Sequence, residues 1–149
     1  MPVLIEKRFM LEALEEAEKA KAEGEIPVGA VIVREGEIIA RAHNSTGASN
    51  QAAHAELCAL KKAAEAQGVR FLSDCVLYVT MEPCPMCAGA CLLYRIGAVV
   101  FGAYDARAGA MGSIADIAGG DFGYTVPVIG GVMREECAEL LTNHFKGKR

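Results

Sequence analysis

Several things the sequence lacks narrow what it can be. No apolar run approaches the roughly 20 residues that cross a bilayer. The stretch Met1 to Lys21 is dense in Glu and Lys, so it has no apolar segment of the kind a secretory signal carries. A soluble, cytoplasmic chain with no membrane partner is the expectation. Positive charge is also scarce: 15 Lys and Arg stand against 19 Asp and Glu, a net charge of −4. That balance argues against a broad electrostatic grip on nucleic acid and leaves only local patches. Lys146, Lys148 and Arg149 form one such patch, and they equally suit the negative end of a closing helix. Internal repeats, linkers and low-complexity tracts are missing too. With 149 residues, 52% hydrophobic and 23% charged, residues 1–149 read as one globular domain able to bury a single core.

The six cysteines lack a secretory context, so metal binding by some of them is favoured over a disulfide framework. They contain a single C-x-x-C pair, Cys84 and Cys87, with no second pair to complete a four-cysteine zinc site. The chain has no tryptophan at all, so none precedes the pair as it would in a redox motif. Cys58, Cys75, Cys91 and Cys137 sit in apolar periodic contexts and read as small core residues. His43 reads as a loop hydrogen-bonder, His144 as a partly exposed structural histidine, and Met81 and Met86 as gap-fillers.

Hydrophobic periodicity places the motifs. Leu4 to Lys21 carries Phe9, Leu11, Leu14 and Ala17 at helical spacing, with Gly24 as a stop. Val28 to Val33 and Ile38 to Ala42 flank Glu35-Gly36 as a hairpin. Ala52 to Gln67 is helical, Cys75 to Thr80 a buried strand, and Met86 to Tyr94 a helix with Pro85 in its first turn. Ala98 to Gly102 is another buried strand, Gly109 to Gly120 holds a short helical piece, and Val126 to Val132 is a last strand. Arg134 to Phe145 is a closing helix. Strands alternating with helices predict a three-layer α/β fold with an internal mixed sheet.

Two of these helices open on chemistry-bearing residues. Ala53-His54-Ala55-Glu56 opens one, and Glu82-Pro83-Cys84-Pro85-Met86-Cys87 the other. Cys84 and Cys87, three apart on a first turn, put both sulfurs on one face, where the free N–H groups favour thiolates. His54 can add a third ligand. Three protein ligands leave the fourth tetrahedral position open for water, the catalytic arrangement of zinc. Zinc brings the ionisation of such a water near neutral pH. Glu56, two residues on, points well away from His54 around the helix and can carry protons instead of binding metal. Either half alone is weak, since C-x-x-C also serves redox and structural zinc sites and H-x-E is common in helices. Together they form the H-x-E…P-C-x-x-C signature of zinc nucleobase deaminases.

With these residues in hand, the chain resembles the cytidine deaminase-like superfamily and, within it, bacterial tRNA-specific adenosine deaminases. The similarity runs from Ile26-Pro27-Val28-Gly29-Ala30-Val31 through His43-Asn44, the two motifs, and Leu77-Tyr78-Val79-Thr80. It continues to Arg95-Ile96, Val99-Val100-Phe101-Gly102-Ala103, Gly131-Val132 and Glu136-Cys137. The resemblance implies a five-stranded mixed sheet flanked by helices, a homodimer, and one Zn²⁺ per subunit held by His54, Cys84 and Cys87. It implies hydrolysis of adenosine to inosine at the tRNA wobble position, with the base flipped out of the anticodon loop. Asn44 would then hydrogen-bond the purine, Val28 and His54 would sandwich it, and the Ala55 N–H would hold the attacking oxygen. Glu56 would move protons, and Glu82 and Asp105 would join the substrate-binding residues. Asp105 reads equally as a turn cap.

The departures lie in loops. Asn50-Gln51-Ala52 stands where the family usually has Asp-Pro-Thr, in a loop one residue short. Ser45 and Thr46 replace a stretch that often carries a basic residue, and Tyr104 precedes Asp105. These differences leave open a second expectation, deamination of a free nucleobase or nucleoside such as guanine or cytosine. A non-catalytic zinc module binding RNA or a protein is a third, against which Glu56 argues.

Overall fold

The structure is a computed structural model and describes residues 5–146; Lys148 and Arg149 of the basic tail lie outside them. The elements in chain order are α1 (Lys7–Ala22), β1 (Gly29–Arg34), β2 (Glu37–His43), α2 (Ala55–Gln67) and β3 (Cys75–Met81). They continue with α3 (Pro85–Leu93), β4 (Ala98–Ala103), β5 (Val128–Ile129) and α4 (Arg134–Lys146). One sheet takes the order β2-β1-β3-β4-β5. The β1–β2 and β1–β3 pairs are antiparallel, and β3–β4 and β4–β5 are parallel, so the sheet is mixed as expected. Among the described residues no helix is long and apolar enough to cross a membrane.

Register assigns the layers. Phe9 of α1 packs its ring against Tyr78, with centroids 5.4 Å apart, and Tyr78 pairs with Val100 of β4. Two residues on, the same face carries Gly102, where a Cβ would collide with the Cys137 sulfur of α4. α1 and α4 therefore share one face of the sheet, and α2 and α3, packed on each other, cover the opposite face. Between the layers, Ile32, Leu77, Val79, Val99 and Val100 are fully buried. The Glu35-Gly36 turn has φ of 51° and 77°, the left-handed pair that a tight hairpin requires.

Two sequence expectations fail on the C-terminal side. Residues 109–120 form no helix; they make turns and two isolated bridges, Met111 with Asp116 and Gly119 with Thr125. Gly112 and Gly120 hold φ of 132° and 109°, values that a right-handed helix excludes. The strand expected over Val126 to Val132 contracts to Val128–Ile129. Pro127 has no N–H for the ladder, though its carbonyl accepts from Val99, and Gly131 at φ 83° turns the chain away. The second helix also starts later than Ala52, at Ala55.

Candidate metal centre and base cavity

The parallel strands β3 and β4 end on the same side, where α2 and α3 begin. His54 is the N-cap of α2 (φ −74°, ψ 150°) and Cys84 the N-cap of α3 (φ −73°, ψ 173°), with Pro85 as the first helical residue. Both are extended, not helical, so helical spacing does not govern where they point. This revises two expectations. Cys84 stands just before the first turn, not on it. Glu56, expected to face away from His54, lines the same cavity.

The Sγ atoms of Cys84 and Cys87 each lie 3.6 Å from His54 Nδ1, and the three ligand atoms fall within 4.8 Å of one another. A zinc–sulfur bond of about 2.3 Å and a zinc–nitrogen bond of about 2.0 Å, at a tetrahedral angle, place S and N about 3.5 Å apart, close to what is seen. The donor set and its spacing therefore fit a zinc ion with one position left over. Among the described residues this is the group of three suited to a metal. Cys58 and Cys91 are not part of it, and burial pushes the Cys91 thiol far up.

The electrostatics agree. The Cys87 thiol beside it, against the upward push of burial and with help from His54, holds the Cys84 thiol down to about 4. Cys87, facing the Cys84 sulfur and buried, is displaced far upward. His54 is raised, chiefly by its contact with Cys84. Glu56 is 4% exposed, and burial lifts its carboxyl to about 7.

These residues open onto a cavity of about 400 Å³. Val28 and Asn44 line it from the β1 and β2 side, and Asp105, Arg107 and Ala108 line it from the loop after β4. Asn44 is buried; its backbone N–H donates to the Val28 carbonyl, and its Oδ1 accepts from the Ala55 N–H at 2.9 Å. That bond fixes which way the amide points and leaves Nδ2 as a donor. It also engages the Ala55 N–H, the group that the resemblance assigns to the attacking oxygen.

Asp105 Oδ1 accepts from the N–H groups of Arg107 and Ala108, a turn cap at the cavity wall. Glu82 is 2% exposed and spends its carboxylate on the loop: Oε1 accepts from the Asp105 N–H at 3.0 Å, Oε2 from the Met111 and Ser113 N–H groups. Arg107, Ala108 and Phe145 also line the cavity, and no motif singles them out. Position beside Asp105 could have flagged Arg107; nothing in the periodicity of α4 distinguishes Phe145. His43 is a hydrogen-bonder, as read, but at the end of β2 and not in a loop: its ring nitrogens meet Glu16 at 3.2 Å and Glu23 at 2.7 Å.

A three-ligand metal site beside a buried carboxyl fits a zinc hydrolase, and comparison with known proteins narrows it to a deaminase. Residues 5–103 match the model of the cytidine and deoxycytidylate deaminase zinc-binding region, and the chain belongs to that family, with zinc as its cofactor. A tRNA-specific adenosine deaminase of Bacillus subtilis is 45% identical over 143 residues, 95% of this chain and 89% of the relative. A solved tRNA:A34 deaminase, from studies of A-to-I editing at the wobble position, superposes with a TM-score of 0.87. It is 39% identical and covers 91% of this chain and 100% of its own. The guanine deaminase of Bacillus subtilis gives 0.63 at 40% identity, over 68% of this chain and 66% of its own.

Proposed function

We propose that this protein is a single-domain, homodimeric, cytoplasmic enzyme that hydrolyses adenosine to inosine at the wobble position of a tRNA anticodon. The observation that carries this reading is the zinc-fitting triad beside buried Glu56, in a chain that matches wobble deaminases over nearly its whole length.

His54, Cys84 and Cys87 hold the metal. When bound, zinc supplies the Lewis acidity that brings a water's ionisation near neutral pH. Every other task falls to the chain. Glu56, buried in the same cavity as the ligands, accepts a proton from water, passes it to the ring nitrogen, and then serves the departing amine. The balance is adenosine plus water to inosine plus ammonia. Asn44 Nδ2, oriented by the Ala55 N–H, donates to a ring acceptor. Val28 and the His54 ring flank the base. A cavity of about 400 Å³ takes a nucleobase only once it is out of the stack. Arg107 on the cavity wall supplies a phosphate contact in a chain whose net charge is −4.

The homodimer reading is supported by the exposed apolar surface beside α3. Leu93 is 79% exposed and Phe122 70%, and both line a second cavity of about 570 Å³ with Phe71 and Tyr124. Surface of this kind marks an association site, and Leu93→Glu is expected to convert dimer to monomer in sedimentation.

The likeness to a guanine deaminase and the net charge of −4 favour a second reading, a free nucleobase as substrate. Ammonia release separates the two, using an anticodon stem-loop with A at the wobble position, adenosine, guanine, cytosine and cytidine. Turnover of the stem-loop that falls steeply with added salt is expected, because phosphate contacts release counterions. Turnover of free guanine or cytosine with none of the stem-loop overturns the tRNA reading.

A further inference from the structure

Glu82 is a buried carboxylate immediately before Pro83-Cys84, and among the described residues no cationic side chain is among its hydrogen-bond or ion-pair partners. Its four donors all come from the loop that follows β4. The Asp105 N–H and the Ser113 hydroxyl donate to Oε1, at 3.0 and 2.5 Å. The N–H groups of Met111 and Ser113 donate to Oε2, at 3.1 and 3.0 Å. A carboxylate offers about four lone-pair sites, so none is left for a substrate.

The loop is shaped to this carboxylate. A Cβ on Gly109 would stand 2.5 Å from Glu82 Oε1 and collide with Cδ, so only glycine lets the backbone close over it. The main chain repeats the connection: Ala110 donates to the Pro83 carbonyl at 2.9 Å, and Glu82 to the Ala103 carbonyl at 2.8 Å. The same loop supplies Asp105, Arg107 and Ala108 to the cavity. One side chain thus ties a wall of the base cavity to the end of α3 that bears Cys84.

We infer that Glu82 is a positioning residue for deamination: through the Asp105–Ser113 loop it sets the distance between the cavity wall and the metal centre, without touching substrate. The inference rests on the deaminase reading for its kinetic consequence, though the clamp is measurable without it. Because the loop carries wall residues and none of the proton-moving machinery, loosening it weakens substrate capture more than chemistry.

The test compares zinc-loaded wild type, Glu82→Gln, Ser113→Ala and Gly109→Ala. Glu82→Gln turns an N–H₂ group toward backbone donors, Ser113→Ala removes one donor at a distance from the cavity, and Gly109→Ala displaces the loop from its side. Zinc per chain is expected at the wild-type level in each. KM for the base that wild type turns over fastest rises about tenfold or more in E82Q and G109A and less in S113A, with kcat within about threefold. Amide exchange of Asp105, Met111 and Ser113 accelerates in E82Q. If E82Q fails to fold, S113A and G109A carry the comparison. A loss of kcat at unchanged KM overturns the inference. So does unchanged exchange at the three amides, or raised KM in E82Q alone with S113A and G109A like wild type, which makes Glu82 a substrate contact. Should wild type release ammonia from no base at all, the deaminase reading fails, and the exchange pattern alone decides whether the clamp exists.

Discussion

Glu56 and Glu82 are two buried carboxylates on one cavity, and their surroundings drive them apart. Burial lifts Glu56 to about 7, outweighing a backbone N–H contact and the Cys87 thiol, which pull the other way. Burial pushes Glu82 up as well, but the Ser113 hydroxyl and the N–H groups of Asp105, Ser113 and Met111 outweigh it and hold the carboxyl below its usual value. Pairs displaced in opposite directions are how one site keeps a proton carrier and a permanent anion side by side. The difference lies in depth and in hydrogen-bond supply: Glu56 is set deeper, where burial dominates, whereas Glu82 is met by four donors that outweigh its burial.

Removing the metal should separate the two most sharply. Chelation is expected to abolish ammonia release, with Zn²⁺ restoring it, while amide exchange in the Asp105–Ser113 loop stays as it was. Accelerated exchange there on chelation would mean that the clamp and the centre are one unit.

Glu56→Gln comes next. It removes the proposed proton carrier and keeps the shape, so kcat should fall by about 10²–10⁴ with zinc per chain unchanged. Glu82→Gln should leave kcat nearly intact.

The smallest effects are in stability, and they carry opposite signs with pH. Glu82 has a folded-state pKa below its unfolded value, so its contribution is full above that unfolded value and is lost as pH falls. E82Q should therefore be less stable than wild type by about 1–3 kcal/mol at pH 7, a gap that narrows on acidification below about pH 4.5. Glu56 has a folded-state pKa raised to about 7, so its contribution is present at low pH and lost as pH rises toward 7. Zinc-free E56Q should gain on zinc-free wild type across that window, by on the order of 1–3 kcal/mol. Denaturant midpoints at pH 4, 5.5 and 7 read both; parallel curves for the two variants would erase the distinction.

The halves of the site are unequally legible in the sequence. His54, Glu56, Cys84 and Cys87 announce themselves because their chemistry is local: each pair sits within four residues at a helix opening, where spacing and residue type suffice. Even there periodicity misdirects Glu56, since His54 caps the helix in an extended conformation and helical angles do not reach it. Glu82 stands beside the motif, where a substrate contact is the natural expectation. Its partners lie 23 to 31 residues downstream, in a segment with no period and with glycines that resemble a broken helix. The strands follow from buried apolar runs, except where Pro127 and Gly131 cut β5 to two residues, and their order needs the fold. Asn44 is legible only by resemblance; what orients it, the Ala55 N–H, needs the fold.

Ammonia release from the wobble-A stem-loop, measured for wild type, E56Q and E82Q at matched zinc content, tests the division of labour between the two carboxylates. The expected result is a collapse of kcat in E56Q and a rise in KM with preserved kcat in E82Q. E56Q turning over at the wild-type rate with its zinc in place would contradict it.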